Sequence, residues 1–527
     1  MEPGHLLPIE WAMMACFTVG VLSWGIYMKG RVVTLSDSFL AGRKVPGVIA
    51  AISAIATNFN TNDFIGGVGA AYAMGLVMVH GNLMTCIILS FLSFFVVKKL
   101  RTAKVFTPGE WLRKRYSPAV GNIYSIIWAF VWMLVNLGLY IYSGALVLHT
   151  LVGWNLYVSI VVLTVIAATY TLLGGFGAVV ATDVLQMVLM FFPFIFLVPR
   201  IWIASGGPSA IGEGTPPELT DLWTSHSPFG HIGIVISGAF LLSMSYFASE
   251  AQMLHRPLST KSVNDAAVSY LGVGFWHVFV TPLIIVIPGL AALKMFPNLP
   301  NNDFAMPMLI RKLIPRGLYG VTIVGLMAGF LSSADSQINA FCTMFTKDIY
   351  ERMIARNRGT SHYLTASKVA GGIFTAAAIL TAVAFSFSKH GMMLMALSIL
   401  ATIMPPSAVV IILGALWSGA GKTGALYGLL SGFATGLLLV ALDVMGMLSH
   451  IAENTMYLRT TVTVAVSLVV TVLVSLLKRE PAGEIIEETA DTILEEPSAR
   501  LIENPKFLAA ILVVGSISMY VFLTVAF

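Results

Sequence analysis

The chain has 527 residues, of which 57% are hydrophobic and only 10% are charged, with a formal charge of +5. Soluble domains carry about 45–50% apolar and about 25% charged residues, so this composition excludes a water-soluble globular protein and implies a polytopic membrane protein buried laterally in lipid. The small charge is spread over short loops and gives nucleic acid no basic surface, while Cys16, Cys86 and Cys342 all lie in apolar runs and offer neither a disulfide framework nor metal-ligand spacing.

The first apolar run, Ile9 to Met28, follows an almost uncharged N-terminus, and its basic residues Lys29 and Arg31 come after it. A cleaved signal peptide has its basic residues before a shorter apolar core, so an uncleaved first span is expected. Further apolar runs centre near residues 60, 88, 135, 165, 192, 240, 280, 335, 378, 405, 434, 467 and 517. Together they predict about fourteen spans, each needing about 20 apolar residues.

The second run, from Val45 to about Val79, is interrupted by ATNFNTNDFIGG at Ala56–Gly67. Thr57, Asn58, Asn60, Thr61, Asn62 and Asp63 bond readily to nearby backbone and compete with helix. Non-helical backbone at membrane depth persists only where protein buries it or water reaches it. A span broken at mid-membrane and carrying an acid is the pattern of a transporter site. The alternative is a polar loop between two short interfacial helices.

Next comes YTLLGGFGAVVATDVLQ at Tyr170–Gln186, whose glycines break a span and whose Asp183 opens the next. An Asp at a helix start also serves as a simple cap. The segment from Ser205 to His231 is rich in Gly, Pro and Ser, holds Glu213, Glu218 and Asp221, and lacks Lys and Arg, as suits an external loop.

Further on, GLMAGFLSSADSQINAFCTMFTKDIY spans Gly325–Tyr350. At 100° per residue Gly329, Ser332, Ser333, Ser336 and Ala340 share one helical face, flanked by Asp335 and Asn339. Small residues admit a neighbouring helix and hydroxyls offer hard oxygen ligands. A plain packing seam reads the same way, but an intramembrane acid is costly and tends to be functional. Gly424, Gly428, Gly432 and Gly436 recur every four residues, a close-packing face. Lys478 to Lys506, with Glu484, Glu487, Glu488, Asp491, Glu495 and Glu496, reads as an acidic cytoplasmic linker before a detached last span. The distribution of lysine and arginine, Arg256 included, places both termini outside.

Taken together, three stretches resemble the sodium/solute symporter family. Ala56, Asn58, Phe64 and Gly66 match its broken helix. Tyr170, Thr171, Gly174, Gly175, Thr182, Asp183 and Gln186 match its YT-x-x-GG…TD-x-x-Q motif, and Ser332, Ser333, Asn339, Phe345, Thr346, Asp348, Ile349 and Tyr350 its SS…N…FT-x-DIY motif. QMLHRPLSTKS from Gln252 and MPP…LGALW from Met404 are smaller echoes. The resemblance covers about residues 35–440 and implies the LeuT-type inverted repeat of five plus five helices, each repeat opening on a broken helix. Residues 1–44 would hold an extra span and loop, 45–205 the first repeat, 206–229 an external loop, 230–418 the second repeat and 419–527 peripheral spans with the acidic linker.

The resemblance also implies a sodium site formed by the carbonyls of Ala56, Phe59 and Gly329 with the hydroxyls of Ser332 and Ser333, neutral oxygens suited to a hard monovalent cation. Positions matching a second sodium in some members are Asp183, Ser332, Asp335 and Ser336. Asp335 stands where sialic acid transporters have serine, so sodium, a proton or a polar lock all remain open there. For the solute, the implied contacts are Asn58, Asn60, Asp63, Asn82 and Phe247. The sugar transporters' Tyr-Trp gate aligns with Phe247 and Ala248, their lysine with Val278 and their glutamine with Leu397, while the arginine of sialic acid transporters aligns with Val135. Amides and one carboxylate suit a sugar or polyol; a small amine pairing with Asp63 is the rival.

The resemblance thus predicts a sodium-coupled symporter of the plasma (inner) membrane, whose partners are a small solute, sodium ions and the bilayer. A membrane solute sensor is the remote alternative, and such sensors append an output domain. No HExxH or nucleophile-elbow motif points to an enzyme, and His255 and His277 are isolated and read as structural.

Overall fold

A computed structural model describes residues 6–29, 34–222, 232–387, 392–448, 455–480 and 501–527. Arg31, the end of the proposed external loop and the acidic run Glu484, Glu487, Glu488, Asp491, Glu495 and Glu496 lie outside the described residues. The described residues are helical throughout; their one bridge of strand type joins Val45 to Thr260.

The helices, in order, begin with α1 (Pro8–Met28) and α2 (Gly47–Asn58). After a break at Phe59 and Asn60 the chain resumes helix at 61 and continues through a wide turn, Asp63–Gly67, into α3 (Val68–Met74). Gly75, at φ +69°, reverses the chain into α4 (Met78–Leu92). A Cβ on Gly75 would lie 2.1 Å from the Leu219 carbonyl oxygen, so both the backbone angle and the space require glycine. The amphipathic α5 (Pro108–Arg115) leads to α6 (Pro118–Val152) and α7 (Leu156–Ser205). There follow α8 (Ile232–Ser249), α9 (Ala251–Ser259), α10 (Val263–Phe279), α11 (Pro282–Met295), α12 (Tyr319–Ile354), α13 (Thr360–Phe385), α14 (Met392–Leu416), α15 (Lys422–Val444), α16 (Thr455–Lys478) and α17 (Pro505–Ala526).

Ten of these elements are long and apolar enough to cross a membrane, or eleven if the α10–α11 pair, bent by 42°, is one span. The fourteen expected from apolar runs are not reached by this measure, because breaks and bends divide the helices differently from the sequence. α2 is too short alone, and α7 holds 50 residues, about 75 Å at 1.5 Å each, more than twice the roughly 30 Å of a bilayer core. Gly175 supplies its bend, with φ +65° and ψ −178°. Asp183 therefore lies two turns beyond the break and does not open the second half as the glycine pattern implied.

Burial orders the helices. The most apolar window of α12 is 94% buried and that of α6 83%, whereas α1, α15, α16 and α17 fall between 22% and 33%. α12 and α6 form the centre and the latter four the rim. The four-residue glycine stripe of α15 lies against α14 and α16: a Cβ on Gly428 would sit 1.8 Å from Thr471 Oγ1, and one on Gly436 2.9 Å from Thr402 Cγ2. These glycines pack helices, as their spacing predicted. Beyond α16, Glu480 accepts from the Thr423 amide at 2.8 Å and from its hydroxyl, which holds its carboxyl below the usual range and caps α15.

At one end of the molecule several elements are tied together. Val45 exchanges backbone bonds with Ser259 and Lys261 (3.2 and 3.0 Å), tying the entry of α2 to the exit of α9. Arg101 clamps the Thr260 carbonyl with Nε and Nη2 at 3.0 and 2.7 Å. Nearby, Thr107 and Ser125 donate to Asp348 at 2.7 and 2.8 Å, and Glu110 pairs with Arg352 at 3.1 Å.

Candidate functional site

Two broken helices meet at the centre. In the first, Asn60 and Asp63 form a reciprocal cap: the Asn60 amide donates to Asp63 Oδ2 at 3.0 Å, and Asn60 Oδ1 accepts from the Asn62 amide at 2.7 Å. The sequence located this break correctly, but the helix restarts at 61, so Asp63 belongs to its first turn. In the second, α8 ends at Ser249, and Glu250, with ψ 111°, caps α9 by accepting from the Gln252 amide at 3.4 Å. Glu250 is fully buried and also accepts the Trp132 indole N–H at 2.5 Å. Sequence reading missed it; its signal was an acid inside the apolar run centred near residue 240.

Between the breaks lies a cavity of about 210 Å³. It is lined by Asn58, Asn60, Asn62, Asp63, Asn82 and Phe247, together with Asn136, Tyr140, Tyr246 and His277 and apolar residues of α14 such as Leu397. All five expected solute contacts are therefore brought together. Not all are free to act. Asn60 spends its side chain on the break, donating to the carbonyls of Thr57 and Asn58 at 3.4 Å each. Asn62, unremarked in the sequence beyond its place in the polar block, leaves a buried Oδ1 without a hydrogen-bond partner beside the cavity.

The main correction concerns register. Tyr246 and Phe247 line the cavity where Phe247 and Ala248 were aligned, His277 does so where Val278 was, and Asn136 where Val135 was. Successive helical residues point about 100° apart, so an error of one position turns a contact into a packing residue; Val278 is fully buried. His277 is not the isolated structural histidine expected. Its Nε2 lies 2.8 Å from Asn58 Nδ2 and its Nδ1 2.9 Å from Asn82 Oδ1. Tyr246 donates to Asn58 Oδ1 at 3.0 Å and Asn82 Nδ2 donates to the Met78 carbonyl at 3.0 Å. The Met78 carbonyl can only accept, so it fixes the Asn82 amide and His277 Nδ1 donates to Asn82 Oδ1; with Asn58 Nδ2 toward the ring, Nε2 accepts.

On the other side of the first break, α12 approaches through Gly329. A Cβ there would lie 3.2 Å from the Thr61 amide and 2.9 Å from Met190 Sδ. Ser333 donates to the Thr57 carbonyl at 2.7 Å and Ser332 to Asp183 Oδ1 at 2.6 Å. Ala56, Phe59, Ser332 and Ser333 are all buried. Ser333 and Gly329 thus meet the turn between Thr57 and Thr61, while Ser332 faces Asp183. A serine hydroxyl that donates its hydrogen elsewhere still offers lone pairs to a cation.

Asp183, Ser332, Asp335 and Ser336 also cluster, around a residue the sequence reading had placed among loop charges. Arg256 is 0% exposed. It ion-pairs with Asp183 at 3.4 Å and donates to Thr57 and Ser336. Asp335 Oδ1 accepts from Ser336 at 3.2 Å, while Oδ2 has no hydrogen-bond partner. Among the described residues no group of three or more His, Cys, Asp and Glu side chains could hold a metal.

Comparison with known proteins agrees with this geometry. The chain is 26% identical to a sodium/glucose cotransporter of Vibrio parahaemolyticus over 82% of its own length and 85% of the relative's. It is 27% identical to sodium/myo-inositol cotransporter 2 of Homo sapiens over 84% and 70%. Its fold matches a Na+-coupled sialic acid symporter in a substrate-bound outward-open state (TM-score 0.76, 20% identity, 90% of this chain and 98% of the other). Mhp1, a nucleobase-cation-symport-1 family transporter, matches less closely (TM-score 0.54, 15% identity, 85% and 96%). The fold is therefore the LeuT-type arrangement. The profile of the sodium:solute symporter family matches residues 38–432, and the chain belongs to that family.

Proposed function

We propose that the chain is a sodium-driven symporter importing a small neutral polyhydroxylated solute, a sugar or polyol, by alternating access. The carrying observation is that one broken helix serves both partners: Asn58, Asn62 and Asp63 line the cavity while Thr57 meets the α12 serines. Sodium is held by the carbonyls of Ala56, Phe59 and Gly329 and the hydroxyls of Ser332 and Ser333. Its binding closes the turn that presents Asn58 to the solute. Amides, tyrosines and an imidazole recognise hydroxyls, and among the described residues no lysine or arginine lines the cavity. The glucose and myo-inositol relatives support this solute class.

The same reading counts fourteen spans, with α2–α3, α8–α9 and α10–α11 each taken as one broken or bent span and α7 divided at Gly175. The two repeats then occupy residues 45–205 and 230–418, with both termini on the outer face of the plasma membrane. The cavity belongs to the outer half and the ties at Val45 and Thr260 to the cytoplasmic half.

Uptake of hexoses, cyclitols and small amines into proteoliposomes under an inward sodium gradient, against choline, tests the reading. Hexose or cyclitol uptake should require sodium; equal uptake in choline would overturn it. Among the described residues Asp63 is the one carboxylate lining the cavity, and it separates the neutral solute from an amine. Asp63→Asn exchanges a charged hydrogen bond for a neutral one, about 1–2 kcal/mol or roughly tenfold in affinity for a neutral solute. An amine would instead lose its counter-charge, and uptake would vanish while sodium binding persisted.

A further inference from the structure

A groove of about 620 Å³ runs between α1, α7 and α12 and shares no lining residue with the solute cavity. Its walls are apolar, with Phe17 and Trp24 of α1, Leu185 and Leu189 of α7 and Val324 of α12. Trp24 and Leu185 are exposed, so the groove opens towards lipid. Gly20 stands on its α1 wall, and a Cβ there would meet nothing within 4 Å. One side chain breaks the apolar pattern. Gln186 of α7 lines the groove at 1% exposure, and neither its Nε2 nor its Oε1 has a hydrogen-bond partner in the protein. Thr182, one turn earlier, does not serve it. The Thr182 hydroxyl is engaged by Tyr170 and lies 3.0 and 2.9 Å from the carbonyls of Ala178 and Val179. Buried amides are normally paired, because leaving one unpaired forfeits its hydration for nothing.

We propose that this groove binds a lipophilic alcohol, one hydroxyl on a bulky hydrocarbon body, taken up from the membrane. The Gln186 amide presents a donor and an acceptor side by side. A hydroxyl answers both, since it donates to Oε1 and accepts from Nε2. An acyl chain answers neither. An ester or ketone oxygen only accepts, so it leaves Oε1 unpaired. Phospholipid headgroups are out of reach, because Gln186 lies about 16 Å along α7 from the Gly175 break, near the middle of a core about 30 Å thick. A water would find only the one amide there, whereas buried waters make about three bonds. Apolar walls around a single well-placed polar group are the make-up of a small-molecule site.

Photolabelling of the full-length protein in phosphatidylcholine nanodiscs tests this, with a diazirine analogue of geranylgeraniol, an isoprenoid alcohol, as the probe. Labelling should saturate and map to α1 and to the turn of α7 at Leu185–Leu189. Unlabelled geranylgeraniol should displace the probe. Its methyl ether should do so about tenfold less well, because an ether cannot donate to Oε1. Gln186→Leu keeps the bulk and removes the amide, so alcohol and ether should then compete equally. Gly20→Phe fills the groove from its open wall and should abolish saturable labelling. Labelling of the native protein that does not saturate would show that bulk lipid covers the groove, and would overturn the proposal. Equal competition by alcohol and ether on the native protein would overturn it too, as would a preference for the alcohol that persists in Gln186→Leu. If Gln186→Leu does not fold, the ratio on the native protein and the Gly20→Phe result decide.

Discussion

Replacing Ser333 with alanine should raise the sodium concentration for half-maximal binding roughly 30- to 150-fold. A cation taken out of water is stable only if protein oxygens replace its hydration, and the cost of leaving one position unfilled is about 2–3 kcal/mol. Ser333 is fully buried, so water cannot reach in to replace its hydroxyl. Ser332→Ala should cost at least as much and differ in kind. It also strips a 2.6 Å donor from Asp183 and so disturbs the Arg256 pair. Thermal stability without sodium should therefore fall in Ser332→Ala and hold in Ser333→Ala, whose lost partner is one backbone carbonyl. Titration with 22Na+ and a melt in sodium-free buffer read the two effects separately. Unchanged sodium affinity in both variants would remove these serines from the site.

What could be read from the sequence followed from physical cost. The polar block at Thr57–Asp63 is expensive inside lipid, so it stood out, and the structure breaks the helix within it. The same holds for the face bearing Gly329, Ser332, Ser333 and Ser336, which is buried along its whole length. Side-chain register was harder to see. Tyr246, His277 and Asn136 each neighbour the residue that alignment had chosen, because apolar helices give no marker for one residue of slip. Arg256 was hidden for a different reason. An arginine between apolar runs looks like a loop charge, and only the meeting of α2, α7, α9 and α12 shows that Asp183 and two hydroxyls enclose it. The bend in α7 shifted too: glycines marked it, yet Asp183 fell two turns past Gly175.

The second large effect is expected at His277. The imidazole links two amides on different helices: it accepts from Asn58 at 2.8 Å and donates to Asn82 at 2.9 Å. Tyr246 extends the chain of bonds to α8. A solute hydroxyl entering the cavity meets this chain with its donors and acceptors already ordered, so little further ordering is needed on binding. His277→Ala leaves Asn58 Nδ2 and Asn82 Oδ1 without partners and frees both side chains to turn. Two lost bonds of about 1–1.5 kcal/mol each predict a rise in solute KM of roughly 30- to 150-fold. Sodium binding should change little, because neither amide is among the sodium oxygens. His277→Gln can still offer one acceptor and one donor, and should recover part of the loss. His277→Lys offers donors only, so it opposes the Asn58 N–H and should be as poor as alanine. The measurement is uptake kinetics with the hexose or cyclitol selected in proteoliposomes, alongside 22Na+ binding to the same preparations. A graded series, glutamine above lysine and alanine at constant sodium affinity, assigns His277 to the solute. Equal KM in all three variants would return it to a packing role.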